Sequence, residues 1–157
     1  MEKMNMRILR YSPKTLYANK KLVNFLSENL NNSAEQNSLG SGMKSALLWE
    51  RNMLTWVCWL SGEPVGWATL TPRNNDKEKN ILGVSVYVNP DFRRMGIGTK
   101  LCKKIKIFCA KNNLNTVAQP WDRAGKSFYR KHGIKYTEYW DFYSNSLTGS
   151  RIEKFLS

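Results

Sequence analysis

Gly83-Val84-Ser85-Val86-Tyr87-Val88-Asn89-Pro90-Asp91-Phe92-Arg93-Arg94-Met95-Gly96-Ile97-Gly98-Thr99 is the stretch on which the fold turns. Val84, Val86 and Val88 alternate onto one face with a period of two, which is the pattern of a strand, and Asn89-Pro90 closes it. Over residues 97–111, Leu101, Cys102, Ile105, Phe108 and Cys109 recur on one face at helical spacing, while Lys100, Lys103, Lys104, Lys106 and Lys111 mostly occupy the rest. A strand therefore hands over to a half-buried basic helix across Arg93 to Gly98. The N–H groups at such a helix start have no intrahelical acceptor, and the dipole places about half a positive charge there. Gly96 and Gly98, lacking a Cβ, would let an anion such as a pyrophosphate approach the backbone, and Arg93 and Arg94 would add to the field.

Upstream, the sequence predicts a short strand at residues 7–9 and an amphipathic helix opened by Pro13, with Leu16, Leu22, Val23, Leu26 and Leu30 on its apolar face. The polar residues 29–42 read as a loop facing substrate, followed by a shorter helix near residues 43–51. Residues 54–60 and 65–70 are aromatic and β-branched strands joined by Ser61-Gly62-Glu63-Pro64, a hairpin signal. Residues 71–80 form a second polar connection into the strand that ends at Val88. Downstream lie a short strand at 115–118, a helix at 122–132 closed by Gly133, an aromatic strand at 134–143 and a last strand near the C-terminus.

Other phosphate loops fit poorly, because the chain has neither G-x-x-x-x-G-K-S/T nor G-x-G-x-x-G with an acidic residue about twenty positions on. The chain instead resembles the GNAT superfamily of N-acetyltransferases. That family's acetyl-CoA site is a strand followed by Gln or Arg, two residues, Gly, one residue, and Gly or Ala, matched in full by Arg93, Gly96 and Gly98. Its second signature, N-x-x-A-x-x-F/L-Y-x-x-x-G-F, is similar to Asp122-Arg123-Ala124-Gly125-Lys126-Ser127-Phe128-Tyr129-Arg130-Lys131-His132-Gly133-Ile134. Asp122, Gly125 and Ile134 depart from that pattern, and an acid at position 122 is less welcome beside CoA than an amide. The resemblance covers roughly residues 84–136.

The resemblance implies an α/β (α+β) domain of GNAT type, with a mixed central sheet of about six or seven strands flanked by about four helices. It implies acetyl-CoA as cosubstrate, held by the backbone of Val86 and Val88, by Arg93, Arg94, Met95, Gly96, Ile97, Gly98 and Thr99, and near Asp122, with no metal. In acetyl transfer an amine attacks the thioester, an oxyanion develops, and a thiolate leaves. A phenol, with an ordinary pKa of about 10, stays protonated at neutral pH and can protonate a thiolate whose thiol sits near about 8.5. The family puts Tyr129 in that role; core packing beside Phe128 is the plainer alternative.

Glu50, Asp76, Glu78 and Asp141 are possible bases, none marked by spacing, and each reads more simply as a surface charge. His132, before Gly133, reads as a helix C-terminal residue favoured by the dipole, with catalysis second. Trp56, Trp59 and Trp67 read as core, with Trp67 and Trp140 as further candidates for the acceptor cleft. Lys103 and Lys104 are weak candidates for CoA phosphates.

The 157 residues suggest one domain, 1–157, with 41% hydrophobic residues, enough for a core. Three cysteines without metal-ligand spacing read as buried thiols of a reducing cytoplasm. The N-terminal residues lack a signal-length apolar stretch, and the longest apolar run, near residues 53–60, is too short to span a membrane, so a cytoplasmic monomer or homodimer is expected. Twenty-five Lys and Arg against 12 Asp and Glu leave a formal charge of +13, which attracts CoA, nucleic acid or an acidic macromolecule. Two functions follow: transfer of acetyl from acetyl-CoA to a primary amine (a protein lysine, an N-terminus or a small molecule), or a catalytically silent GNAT-fold module holding nucleic acid or an acidic protein.

Overall fold

A computed structural model of the chain describes residues 5–32, 53–72, 81–118, 123–136 and 153–155. Six strands form one sheet in chain order: β1 (Met6–Tyr11), β2 (Leu54–Leu60), β3 (Glu63–Pro72), β4 (Ile81–Val88), β5 (Asn115–Ala118) and β6 (Lys135–Tyr136). The first four are antiparallel, and β4–β5 and β5–β6 are parallel, so the sheet is mixed as expected. Among the described residues four helices flank it: α1 (Pro13–Tyr17), α2 (Lys20–Asn32), α3 (Ile97–Lys111) and α4 (Arg123–Lys131).

Both faces of the sheet are covered, which explains why β2 reads as an almost unbroken apolar run instead of an alternating one. On one face, Trp56, Cys58, Ala68, Leu70, Leu82 and Val84 pack against Ile97, Leu101, Ile105 and Phe108 of α3 and Tyr129 of α4. On the other, Val57, Trp67 and Tyr87 meet Leu16 of α1 and Leu22, Phe25 and Leu26 of α2. Trp56 and Trp67 are core residues, and Trp59 donates its Nε1–H to the Tyr11 hydroxyl at 3.0 Å.

The β2–β3 turn is tighter than its sequence suggests. Ser61 (φ 50°) and Gly62 (φ 84°) are both left-handed, Leu60 pairs with Glu63, and the strand begins at Glu63 instead of Val65. The extra length is absorbed by a bulge: Trp59 faces Pro64, Cys58 faces Gly66, and Val65 is the unmatched residue.

The single helix expected from Pro13 is two helices. Asn19 ends the first and caps the second, its Oδ1 accepting from the Leu22 N–H at 3.2 Å, so a polar residue inside the periodic run breaks it without Gly or Pro. Ser12 and Thr15 form a reciprocal capping box on α1. Residues 29–32, expected in the loop, continue α2. At the C-terminus, Glu153–Phe155 is a 3-10 turn; residues 43–51 and most of the 134–143 strand lie outside the described residues.

Candidate active site

β4 is longer than its parallel neighbour. Its described ladder to β5 runs from Ile81↔Asn115 to Val84↔Ala118, whereas its ladder to β3 continues to Gly66↔Val88. Among the described residues, 85–88 therefore pair with β3 alone. The Asn89 N–H donates to Val65 O at 2.8 Å, toward β3. Backbone direction alternates along a strand, so Val88 and Val86 turn their N–H and C=O groups the other way, away from β3. Arg93 confirms that direction, because its Nε–H crosses back to donate to Val88 O at 3.0 Å while its guanidinium lies 5.9 Å from the Tyr87 ring centre.

The chain leaves β4 through an Asx turn, Asn89 Oδ1 accepting from the Asp91 N–H at 3.0 Å, and a 3-10 turn at Pro90–Phe92. It then enters the left-handed region twice, at Arg94 (φ 77°) and Gly96 (φ 76°). Gly96 is the N-cap of α3, and no side chain caps the first turn. Paired left-handed residues and an uncapped helix start gather N–H groups around one concavity. Arg93, Arg94, Met95 and Thr99 are exposed there.

The two motif glycines have different neighbourhoods. A Cβ at Gly96 would meet nothing within 4 Å, leaving room for a ligand, whereas one at Gly98 would stand 3.1 Å from two carbons of the Phe128 ring and 3.7 Å from Val88 Cγ2. Gly98 thus seats α4 against the start of α3. Ile97 is 1% exposed, so only its backbone is available to a ligand. Gly66, which sequence reasoning passed over, lets Ile97 close on the sheet: its Cβ would stand 3.0 Å from Tyr87 O and 3.2 Å from Ile97 Cγ2. The available signal was a glycine inside a strand pattern.

Phe128 and Tyr129 sit edge to face at 5.4 Å, and Tyr129 is buried in the α3-side core. His132 reaches the same first turn of α3, its Nε2 lying 3.3 Å from Thr99 Oγ1, with its ring 4.7 Å from that of Phe128. Burial, then Lys131 and Lys106, hold the His132 pKa below its ordinary value. The expected charged imidazole at the helix end is therefore corrected to a neutral ring, because desolvation and neighbouring cations outweigh the dipole. The cap itself is as expected: Gly133 (φ 70°) donates to Arg130 O and Ile134 to Tyr129 O, a Schellman ending.

Lys103 and Lys104 point elsewhere, lining a groove with Met6 and Ile8 of β1. Asp122, Glu50, Asp76, Glu78, Asp141 and Trp140 lie outside the described residues. Among the described residues, no helix is long and apolar enough to cross a membrane.

Outward-turned backbone groups of Val86 and Val88 running into a roomy, uncapped glycine turn fit a ligand that is an extended amide at one end and a phosphate at the other. The profile of the Acetyltransferase (GNAT) family matches residues 23–134. The chain belongs to that family. It is 27% identical over 96 residues to the Xenopus tropicalis protein named "Probable N-acetyltransferase camello", a match covering 59% of this chain and 43% of that protein. The chain thus spans less than half the length of that relative. Two solved GNAT-fold structures show how widely the fold is shared. A GCN5-related N-acetyltransferase from Ralstonia eutropha is 18% identical with a TM-score of 0.62, covering 87% of this chain and 96% of that one. An aminoglycoside N-acetyltransferase solved in complex with CoA is 15% identical with a TM-score of 0.58, covering 91% and 96%. At these identities the likeness is one of fold, and it agrees with the mixed sheet described above.

Proposed function

We propose that this GNAT chain is a single-domain, acetyl-CoA-dependent N-acetyltransferase that acetylates a primary amine. The observation that carries the reading is the end of β4, whose residues 85–88 pair among the described residues with β3 alone, leading into the open turn at Gly96. Acetyl-CoA supplies the thioester. Val86 and Val88 offer backbone groups to its amide arm, Arg93 and Arg94 add positive charge, and the N–H groups from Met95 to Thr99 receive the pyrophosphate. Asp122 closes this set in the sequence.

Tyr129 is the general acid of this proposal. The amine nitrogen bonds to the acetyl carbon as the C–S bond breaks, the phenol proton passes to the departing sulfur, and the amine's surplus proton leaves to solvent or a base. Phe128, packed against Gly98, is what ties the neighbouring Tyr129 to the cofactor turn. The amine is a protein lysine or N-terminus or a small polyamine; the aminoglycoside specificity of a structural neighbour makes that class a rational first screen.

Titration calorimetry of acetyl-CoA into the protein and into Gly96→Glu tests the site without knowing the amine. Saturable binding that the variant loses supports the reading, and absence of binding to the unaltered protein overturns it. Once an acceptor is found, Tyr129→Phe should retain acetyl-CoA affinity and lose turnover by about 100-fold. Undiminished turnover would remove Tyr129 from the mechanism.

A further inference from the structure

The face of α3 remote from β4 carries a feature that acetyl transfer does not use. Met6 and Ile8 of β1 and Ile107 of α3 floor a groove of about 400 Å³ rimmed by Lys100, Lys103 and Lys104. Ile107 is 59% exposed, a large apolar side chain left in water between lysines. Along Ile97–Lys111 there are five lysines and no acidic residue. Lys100 Nζ makes a weak contact with Met6 Sδ at 3.4 Å.

β1 is the first strand of the sheet and, among the described residues, is paired with β2 alone. The Ser61 N–H donates to Asn5 O at 2.8 Å, which fixes the backbone alternation: Asn5 faces β2, so Met6, Ile8 and Arg10 present their N–H and C=O groups outward. The same residues turn their side chains toward the α3 side, Met6 and Ile8 into the groove and Arg10 over the Phe108 and Phe155 rings at 5.1 and 5.5 Å. An outward-facing ladder and a lysine-rimmed apolar trough thus lie side by side.

The geometry points to a docking site for an extended acidic peptide of a partner protein, added as a seventh strand along Met6–Tyr11. Backbone bonds to the open edge supply register. Alternate side chains of the added strand fall on the α3 side, where an apolar one covers Ile8 and Ile107 and acidic ones two residues away meet Lys100, Lys103 and Lys104. Charge selects this occupant over the others. A second copy would bring the same lysines and a net charge of +13 against its own kind. Nucleic acid would find phosphate partners here, but the groove is lined by aliphatic residues that give bases nothing to stack on. Lysines beside an open edge also repel chance pairing with neutral or basic strands while leaving the edge available to an acidic one.

The test uses a fluorescein-labelled peptide, Glu-Thr-Leu-Thr-Glu-Thr-Glu, followed by anisotropy at low ionic strength against the full chain. Saturable binding is expected, weakened by salt, and weakened at least about tenfold in Lys103→Glu/Lys104→Glu, whose exposed positions leave the fold intact by circular dichroism. The same peptide N-methylated at alternate residues should also bind at least about tenfold more weakly, since it cannot complete the ladder. No binding of the parent peptide, or equal binding of the N-methylated one, overturns the proposal. So does equal binding by the double variant. Displacement of the peptide by single-stranded RNA at a lower concentration than by unlabelled peptide would transfer the groove to nucleic acid, and concentration-dependent dimerisation abolished by the lysine reversals would transfer it to a second copy.

Discussion

A Cβ at Gly96 would touch nothing yet would have to sit at φ 76°, while one at Gly98 would press on the Phe128 ring at 3.1 Å, so two glycines of one motif answer to different physics. Gly98→Val should therefore destabilise the fold by about 1–3 kcal/mol through overpacking. Thermal melts should show part of that loss recovered in Gly98→Val/Phe128→Ala; no loss in the single variant would refute the packing role. The three buried thiols make a second prediction. Burial pushes Cys102 and Cys109 up to about 12, so at neutral pH they are unreactive. Alkylation should proceed only as fast as unfolding, and rapid labelling of the native protein would contradict it. The folded state also keeps protons that an unfolded thiol, near 9.0, releases, so stability falls as pH rises from that value toward about 12. The turn itself was readable because glycines and arginines between a strand pattern and a helix pattern are a local signal. That Gly98 faces a phenylalanine thirty residues on was not, since nothing local encodes which side of a turn another helix will cover.

Helix ends in this chain are set by single residues. Asn19→Ala removes the acceptor of the Leu22 N–H and should cost about 1 kcal/mol in denaturant unfolding. A change within error would mean that packing of Leu22 and Leu26, both fully buried, holds α2 without its cap. The C-terminal end of α4 adds a pH effect. His132 has a lowered pKa, so its contribution is present above the ordinary imidazole value of 6.5 and is lost as pH falls through the lowered one. Protonation there would set a cation beside Lys131 and Lys106. His132→Gln should flatten the acid side of the stability profile, and an unchanged profile would place the dependence elsewhere. Hairpin, strand and basic helix were all legible, because two-fold and 3.6-fold periodicities are local properties. The break at Ala18-Asn19 was hidden because Leu16 and Leu22 keep the apolar pattern running through it. The bulge at Val65 was hidden because it exists only in the pairing of two strands.

At the scale of the molecule, the sheet changes character at β4. β1 to β4 pair antiparallel, whereas β4–β5 and β5–β6 pair parallel. The paired motifs could be read in order along the chain, but the site they build depends on the β4–β5 register, a long-range property that periodicity does not carry. Position on that boundary has a consequence for how the molecule fails. Amide hydrogen exchange should run as a gradient, slow across Leu54–Leu60 and faster in Asn115–Ala118, because parallel pairing is slightly weaker per residue than antiparallel. Rising denaturant should then erase acetyl-CoA binding while Trp56, 4% exposed in the antiparallel half, still fluoresces as a buried indole. The proposed cofactor cleft is in effect the loose end of a zip, and loss of acetyl-CoA binding should precede unfolding.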